Sequence, residues 1–296
     1  MNSMTERRKI VFIVNPNSGT VNKSNWIALA SKLLVNEFDL EFKYATSYIR
    51  VGELARYAVK DGVHCVVAVG GDGTVNEIAN VLRHTETALA ILPLGSGNGL
   101  ARDLRISTLL PFKALEAIRR QKSLLIDYGT VNDVPFFCTC GIGLDALVSN
   151  LFAESKRRGF LSYTAIAIRE YFRCTPIDCT LTYDGQTHKK QAVIINCANI
   201  RQFGYNAYIA PQADFQDGLM NVTILKPFGL LMAVHLAWKL FTKTIDTSRY
   251  AETFTCRELR VEMPSETYFH YDGEPTSMPS VIDIKIIPRG LRVIVP

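Results

Sequence analysis

The stretch of residues 70–77 limits most strongly how this chain can fold, because it joins an apolar run to a helical pattern. The run at 65–69 has the continuous apolar character of a strand buried on both faces. Gly70, Gly71 and Gly73 let the backbone turn sharply and approach a ligand closely. The helix start that follows offers free N–H groups and a partial positive charge. We therefore expect an anion to bind where this strand gives way to a helix.

Strand and helix patterns alternate through the first part of the chain. Strand patterns cover residues 10–14, 40–45, 65–69 and 88–93, with helical spacing between them. Such alternation predicts an α/β fold built on a doubly wound parallel sheet, whose ligands bind at the carboxyl ends of the strands. Each strand pattern ends in a loop that carries glycine, amide or hydroxyl groups, and these loops would open onto one edge. Their N–H groups and hydroxyls are suited to wrap a polyphosphate, although neither the P-loop nor the Rossmann spacing is present.

Strand patterns dominate the second half of the chain. Residues 124–138 form two strand patterns around a turn. Strand patterns at 178–183 and 192–197 flank a turn at Asp184-Gly185, and further strand candidates cover residues 219–225, 258–262, 267–271, 282–287 and 291–295. Helical spacing interrupts the strands at 144–173 and 228–243. This order predicts a mainly antiparallel β-sandwich. We expect a nucleotide-binding α/β domain at residues 1–128 and the sandwich at residues 129–296.

The charge and the cysteine content limit the classes of protein to which this chain is expected to belong. The 33 Lys and Arg exceed the 28 Asp and Glu by only 33 − 28 = 5, and they are not gathered in the basic block of a nucleic-acid binder. We therefore expect no nucleic-acid partner. Seven cysteines, an odd number, lie mostly within apolar runs, which is typical of reduced thiols in a cytoplasmic protein. The sequence also predicts neither a signal peptide nor a membrane-spanning segment.

Six short motifs follow one another along nearly the whole chain. They are Asn-Pro-Asn-Ser-Gly at 15–19, Gly-Gly-Asp-Gly-Thr-Val-Asn-Glu at 70–77, Pro-Leu-Gly-Ser-Gly-Asn at 93–98, Ala210-Pro211, Asp217-Gly218 and Asp272-Gly273-Glu274. In this combination the chain resembles the diacylglycerol kinase catalytic family, which includes bacterial lipid kinases, sphingosine kinases and ceramide kinases. The Gly-Gly-Asp-Gly motif is shared with NAD kinases and phosphofructokinases, so the resemblance implies a first domain of that fold.

The resemblance implies that ATP binds across the ends of the parallel strands. Ser96 stands where many relatives have threonine and keeps the hydroxyl, whereas Gly99 replaces a common acidic residue. The residues expected to hold ATP are Asn15, Pro16, Asn17, Ser18, Gly19, Thr46, Gly70, Gly71, Asp72, Gly73, Thr74, Asn76, Glu77, Gly95, Ser96 and Asn98.

The resemblance also implies a magnesium ion in the second domain. We assign it to the Asp217 carboxylate with carbonyl groups near Asp214 and Leu219, because magnesium prefers oxygen ligands. The alternative interpretation is an ordinary Asp-Gly turn before a strand that starts at Leu219.

The motif Asp272-Gly273-Glu274 has a local and a functional interpretation. Locally, Asp-Gly after a strand pattern predicts a hairpin turn. In the family, the motif is the proposed proton acceptor in the cleft between the domains. The resemblance thus implies that Glu274 takes the proton from the attacking hydroxyl, with Asp272 as the second candidate. Asp72, near the phosphates, is expected to be a metal-site or base partner.

The function implied is an ATP- and magnesium-dependent kinase that phosphorylates diacylglycerol or a related lipid from the cytoplasmic face of a membrane. Residues 228–241 are apolar nearly all round and include Trp238, so they predict either a helix packed on the sandwich or a surface that docks on the membrane. An exposed sandwich edge would also allow a homodimer. Two alternatives stay open, namely an NAD kinase-like phosphotransferase and a nucleotide-binding sensor without catalysis.

Overall fold

The chain folds into two compact units. The computed structural model describes residues 7–16, 18, 23–46, 49–154, 166–167, 169–171 and 173–296. The first unit comprises Met1–Ile126 and Arg289–Pro296, and the second unit comprises Asp127–Pro288. The sequence placed residues 289–296 in the second domain, whereas the structure groups them with the first, because the last strand of the chain pairs there.

The first unit is built on parallel strands. Its elements are β1 (Lys9–Val14), α1 (Ser24–Leu34), β2 (Asp39–Tyr44), α2 (Val51–Lys60), β3 (Cys65–Gly70), α3 (Asp72–Leu82), β4 (Ala88–Pro93), α4 (Gly99–Asp103) and α5 (Pro111–Arg120). The strands run parallel in the order β2-β1-β3-β4. Strands β3 and β4 are buried at every position, as their continuous apolar sequences predicted. Strand β2 is more exposed and carries charged side chains, which suits the edge of a sheet.

The second unit is a β-sandwich. Its elements are β6 (Val134–Phe136), β7 (Thr139–Gly143), α6 (Leu144–Glu154), β8 (Ile177–Tyr183), β9 (Gln186–Ala192), β10 (Ile194–Ala198), β11 (Met220–Leu225), α7 (Leu230–Phe241), a 3₁₀ turn (Ile245–Thr247), β12 (Ala251–Cys256), β13 (Glu258–Glu262), β14 (Thr267–Tyr271) and β15 (Glu274–Met278). Strand β5 (Ser123–Val131) enters this unit from the first, and β16 (Val281–Ile294) leaves it.

Two antiparallel layers enclose the core of the second unit. One layer has the order β12-β11-β10-β7-β14-β15, and the other contains β9, β8, β13 and the first part of β16. Large apolar side chains from both layers pack between them, including Ile142, Val222, Phe269, Val261 and Ile284. The predicted fold class, an α/β unit followed by an antiparallel sandwich, is therefore confirmed.

The end of the chain returns to the first unit through β16. Val293 pairs with Leu89 in parallel with β4. The sequence predicted two strands, at 282–287 and 291–295, because Pro288 and Gly290 interrupt the apolar pattern. The structure instead has one strand in which Arg289 adopts a φ of +52°.

Candidate functional site

Two glycine loops of the first unit touch through their backbones. Strands β3 and β4 are parallel neighbours, so the loops after them leave the sheet side by side. A Cβ atom on Gly95 would lie 2.4 Å from Gly71 Cα and 3.3 Å from Gly71 N. Leu94 N also donates a hydrogen bond to Gly70 O at 2.9 Å. A side chain at position 95 would therefore push the two loops apart.

Asp72 joins these two loops. It lies in the first turn of α3, and its carboxylate accepts hydrogen bonds from Asn98 N and Gly99 N, both at 2.7 Å. Asn98, the residue before α4, has a left-handed φ of +53°. Burial raises the pKa of Asp72, while these two N–H groups and the charge of Arg102 act in the opposite direction. The carboxylate thus fixes the geometry of the loop at 95–99.

The loop after β1 reaches the same glycines. Asn15 Nδ2 donates a hydrogen bond to Thr74 Oγ1 at 3.1 Å. A Cβ on Gly70 would lie 2.5 Å from Thr74 Oγ1 and 2.8 Å from Ser18 Oγ. Residues predicted to hold ATP from the ends of β1 and β3 are therefore brought together around Gly70.

Lys23 stabilises the loop after β1 through hydrogen bonds to its backbone, and the sequence analysis did not single this residue out. Its Nζ donates hydrogen bonds to Pro16 O, at 3.2 Å, and to Ser18 O. Burial lowers the pKa of Lys23. The only sequence signal was one lysine shortly before an apolar helix, which does not distinguish it from other surface lysines.

Other predicted ATP residues take different positions. Thr46 Oγ1 accepts a hydrogen bond from Ile49 N at 3.0 Å. Glu77 Oε1 accepts a hydrogen bond from Gly52 N at 2.8 Å and so ties α3 to the start of α2. The exposed members of the set are Pro16, Thr46, Gly73, Glu77 and Ser96, and Asn76 is half-buried. Asn17 and Gly19 lie outside the described residues.

The motif Asp272-Gly273-Glu274 forms the turn of the β14–β15 hairpin. Tyr271 pairs with Glu274, and the two central residues have φ values of +51° and +81°, as the predicted two-residue turn requires. The turn therefore has the backbone that Asp-Gly sequences favour.

The Asp272 carboxylate clasps the segment that leads into β7. It accepts hydrogen bonds from Phe137 N at 2.8 Å, Cys138 N at 2.6 Å and Thr139 N at 3.1 Å. Burial raises the pKa of Asp272 to about 6, although the three N–H groups favour the ionised form. Glu274, two residues further on, is exposed. The two carboxylates of the motif thus have different surroundings.

Three carboxylates surround the segment predicted to bind magnesium. Asp217 Oδ1 accepts a hydrogen bond from Leu219 N at 2.9 Å, and Asp214 Oδ1 accepts one from Gln216 N at 3.0 Å. The third is Asp127, a fully buried residue on β5 whose Oδ2 accepts a hydrogen bond from Gly218 N at 2.7 Å. Burial raises the pKa of Asp217, and the charges of Asp214 and Asp127 add to the increase.

These oxygens suit a hard cation, since a positive charge would relieve the repulsion that raises the Asp217 pKa. Within the described ranges, no three His, Cys, Asp or Glu side chains converge as a metal cluster, so backbone carbonyl oxygens would have to complete the shell. The sequence analysis missed Asp127. Its signal was a carboxylate within an otherwise apolar strand pattern at 124–131.

Comparison with known proteins gives the family. The family model described as the diacylglycerol kinase catalytic domain matches residues 9–131, and that of the YegS C-terminal NAD kinase beta sandwich-like domain matches residues 138–295. The Escherichia coli protein named "Probable lipid kinase YegS" is 30% identical over 265 residues, which cover 85% of this chain and 87% of that protein.

Solved structures share the fold. A diacylglycerol kinase structure from Bacillus anthracis is 18% identical, with a TM-score of 0.77, and the match covers 99% of this chain and 98% of that chain. A second Bacillus anthracis chain is 23% identical, with a TM-score of 0.80 and 99% of each chain covered. The two family matches, one over the glycine loops and one over the sandwich, mean that this chain belongs to the diacylglycerol kinase catalytic-domain family with a YegS-type C-terminal domain.

Proposed function

We propose that this protein is an ATP-dependent lipid kinase that transfers the γ-phosphoryl group to a hydroxyl of diacylglycerol or a related lipid. The observation that carries the proposal is that family models of a lipid kinase cover both units. The Escherichia coli relative is named a probable lipid kinase, which supports the same activity.

The glycine loops of the first unit supply the means to hold phosphates. Phosphoryl transfer asks the protein chiefly to position the reactants and to neutralise charge. At Gly71 and Gly95 the backbone is bare, so N–H groups can approach phosphate oxygens without a side chain between them. Asp72 has two backbone N–H partners, so we assign it to holding these loops rather than to proton transfer.

The hairpin of the second unit supplies the carboxylates for the acceptor. The lipid hydroxyl oxygen attacks the γ-phosphorus, the bond to the β-phosphate oxygen breaks, and the hydroxyl proton passes to a base. Glu274 is our first candidate because it is exposed, whereas Asp272 is occupied by three N–H groups. A positioned base contributes roughly 10²–10⁴-fold to the rate.

Magnesium is the metal that this chemistry requires with ATP, and Asp217, with oxygens near Asp214 and Leu219, would hold an ion in the second unit. Such an ion would neutralise the carboxylate cluster that includes Asp127. The chain's own contribution there is to order the turn at 214–219, since Asp214 and Asp217 each accept a hydrogen bond from its backbone.

A transfer assay with γ-labelled ATP and magnesium tests the proposal. The acceptors are diacylglycerol, phosphatidylglycerol, sphingosine and NAD. Label in a lipid is expected, label in NAD alone would make the protein an NAD kinase, and no label in any acceptor would favour a nucleotide sensor. Glu274→Gln is expected to lower kcat by about 10²-fold or more with an unchanged KM for ATP. A full rate in this variant would remove Glu274 from its role.

We further propose that α7 docks the protein on the membrane surface from the cytoplasm. Val234, Trp238 and Phe241 follow the i, i+4, i+7 spacing of one helix face, and their exposed fractions are 75%, 67% and 42%. Within the described part of the chain, no helix is both long and apolar enough to cross a bilayer. A surface-bound helix is the arrangement that an exposed apolar stripe of this kind favours.

Liposome sedimentation tests the docking. Val234→Asp and Trp238→Asp are expected to lower the bound fraction, because each places a charge in the apolar stripe. The matched control is Tyr57→Asp, which changes a 60% exposed side chain on α2. Equal binding by wild type and both α7 variants, all folded, would refute the role of α7.

A further inference from the structure

A row of three residues, of which the outer two are polar, crosses three adjacent strands of the second unit. Asn196 on β10 and His270 on β14 both pair with Gly141 on β7. Their neighbours Cys140, Cys197 and others belong to the sandwich core, so the row faces the opposite side of the sheet. There it meets Asp145 in the first turn of α6.

The members of the row converge on one carboxylate oxygen. His270 Nε2 lies 3.1 Å from Asp145 Oδ2, and Asn196 Nδ2 lies 3.3 Å from the same atom. The exposed fractions of Asp145, Asn196 and His270 are 5%, 0% and 2%. A Cβ on Gly141 would lie 2.3 Å from Asp145 Oδ2 and 3.0 Å from His270 Nε2, so the cluster needs glycine at this position.

The hydrogen-bonding roles of these groups follow from the carboxylate. An ionised carboxylate only accepts, so Asn196 must direct its amide nitrogen at Asp145, and His270 must carry a proton on Nε2. This leaves Asn196 Oδ1 and, on a neutral imidazole, His270 Nδ1 as acceptors. Neither atom has a hydrogen-bond partner among the residues that the structure describes. Buried acceptors without donors are costly, so each atom would be stabilised by a donor that the described residues do not supply.

The surroundings indicate what kind of molecule brings that donor. Ile194 lies on the same face as Asn196, two residues earlier on β10, and packs on an apolar cluster. The cluster contains Leu144 and Val148 of α6 together with Val193. An alcohol carried on a hydrocarbon body has both a hydrogen to donate to such an acceptor and apolar surface to pack on such a cluster.

We propose that the hydroxyl of the acceptor lipid shares its one hydrogen between the acceptors Asn196 Oδ1 and His270 Nδ1 before the base takes that proton, with Asp145 holding both side chains in place. This inference rests on the proposed lipid kinase function and names the residues that recognise its acceptor. Asp145 adds selectivity, because its negative charge repels a phosphate group. The site therefore favours the free alcohol over the phosphorylated product.

Binding without ATP tests the inference separately from turnover. The probes are 1,2-dioctanoylglycerol and its deoxy analogue 1,2-propanediol dioctanoate, each at the same mole fraction in detergent micelles. Wild type is expected to bind the hydroxyl-bearing lipid about tenfold more tightly, the value of about one buried hydrogen bond. Asn196→Leu and His270→Phe are expected to bind both probes equally. The control His188→Phe, on β9 of the same unit, is expected to keep the wild-type preference.

The outcomes separate the two proposals. If wild type binds both probes equally, an ordered water alone satisfies the two acceptors and the inference is overturned, even where lipid phosphorylation is observed. The same holds if a folded His270→Phe protein keeps the tenfold preference. If no lipid is phosphorylated but wild type discriminates between the probes and the variants do not, the acceptor site stands and only the kinase function fails. Equal binding of the two probes by wild type would overturn the inference even where a variant does not fold.

Discussion

Replacement of Gly95 by alanine is the sharpest test of the paired glycine loops. The new Cβ would lie 2.4 Å from Gly71 Cα, whereas ordinary contacts of a Cβ begin at 3.4 Å. One backbone must therefore move by about 1 Å, and overpacking of this kind typically costs about 1–3 kcal/mol. Because the obstacle is backbone rather than the end of a flexible side chain, we expect about 3 kcal/mol for Gly95→Ala.

Calorimetric unfolding measures this cost. For a unit of this size, a loss of about 3 kcal/mol lowers the midpoint of its transition by roughly 10 °C. The expected weakening of ATP-analogue binding is about tenfold or more, because misplacement by about 1 Å spoils the fit of positioned groups. Gly71→Ala is expected to be milder, since its Cβ would lie 3.3 Å from Gly95 Cα.

The matched control is Gly229→Ala. Gly229 precedes α7 with a φ of −85°, and its Cβ would meet nothing within 4 Å among the described residues. Its cost is that of alanine at a helix N-cap, below about 1 kcal/mol. If Gly95→Ala unfolds at the same temperature as Gly229→Ala and binds ATP analogues normally, the two loops do not touch as described and the reasoning fails.

Three further outcomes are expected. Asp272→Asn should keep the turn, because asparagine tolerates a φ of +51°. It replaces one acceptor oxygen, so it should lower the free energy of unfolding measured in urea by about 1–3 kcal/mol. An unchanged free energy of unfolding would contradict the hydrogen bonds from Asp272 to the segment at 137–139. Since the folded chain raises the Asp272 pKa from its ordinary 3.8 to about 6, the folded state binds this proton more tightly. The contribution of Asp272 to the free energy of unfolding should therefore be greatest below pH 4, fall as pH rises to about 6 and then level off; the Asp272→Asn protein should lack that part of the slope. Glu77→Ala should cost about 1 kcal/mol in thermal unfolding, because Gly52 N loses its acceptor, while Glu77→Gln should cost less; equal losses in the two variants would mean that the carboxylate does not serve as that acceptor.

Local chemistry explains which parts of the fold were predictable. The strands at Glu258–Glu262 and Thr267–Tyr271 match their predicted ranges, since alternating apolar residues bounded by turn residues specify a strand without help from the rest of the chain. The Asp184-Gly185 turn was predicted for the same reason, and both residues have positive φ values. The polar loops at the carboxyl ends of the parallel strands could also be predicted, because the alternation of strand and helix patterns along the chain locates the end of each strand.

Long-range contacts explain what the sequence did not reveal. Asp127 meets Gly218 across 91 residues, and Asp145 meets His270 across 125. Neither pair has a spacing that a local pattern can recognise, because strand order and register decide which residues become neighbours. The prediction of two strands where the structure has the single strand β16 failed for the opposite reason. There the local signal of Pro288 and Gly290 was strong, but pairing with other strands carried the strand through it.

The motif at 272–274 shows why the local and functional interpretations of a turn need not compete. The Asp-Gly turn places Asp272 where its carboxylate binds three backbone N–H groups, and these bonds hold the hairpin against the segment entering β7. Glu274, the next residue after the turn, is carried on that hairpin and faces solvent. Because its oxygens are bound to these N–H groups, Asp272 is well placed to orient the hairpin that carries Glu274. The turn chemistry is therefore a condition for the proposed role of Glu274 rather than an alternative to it.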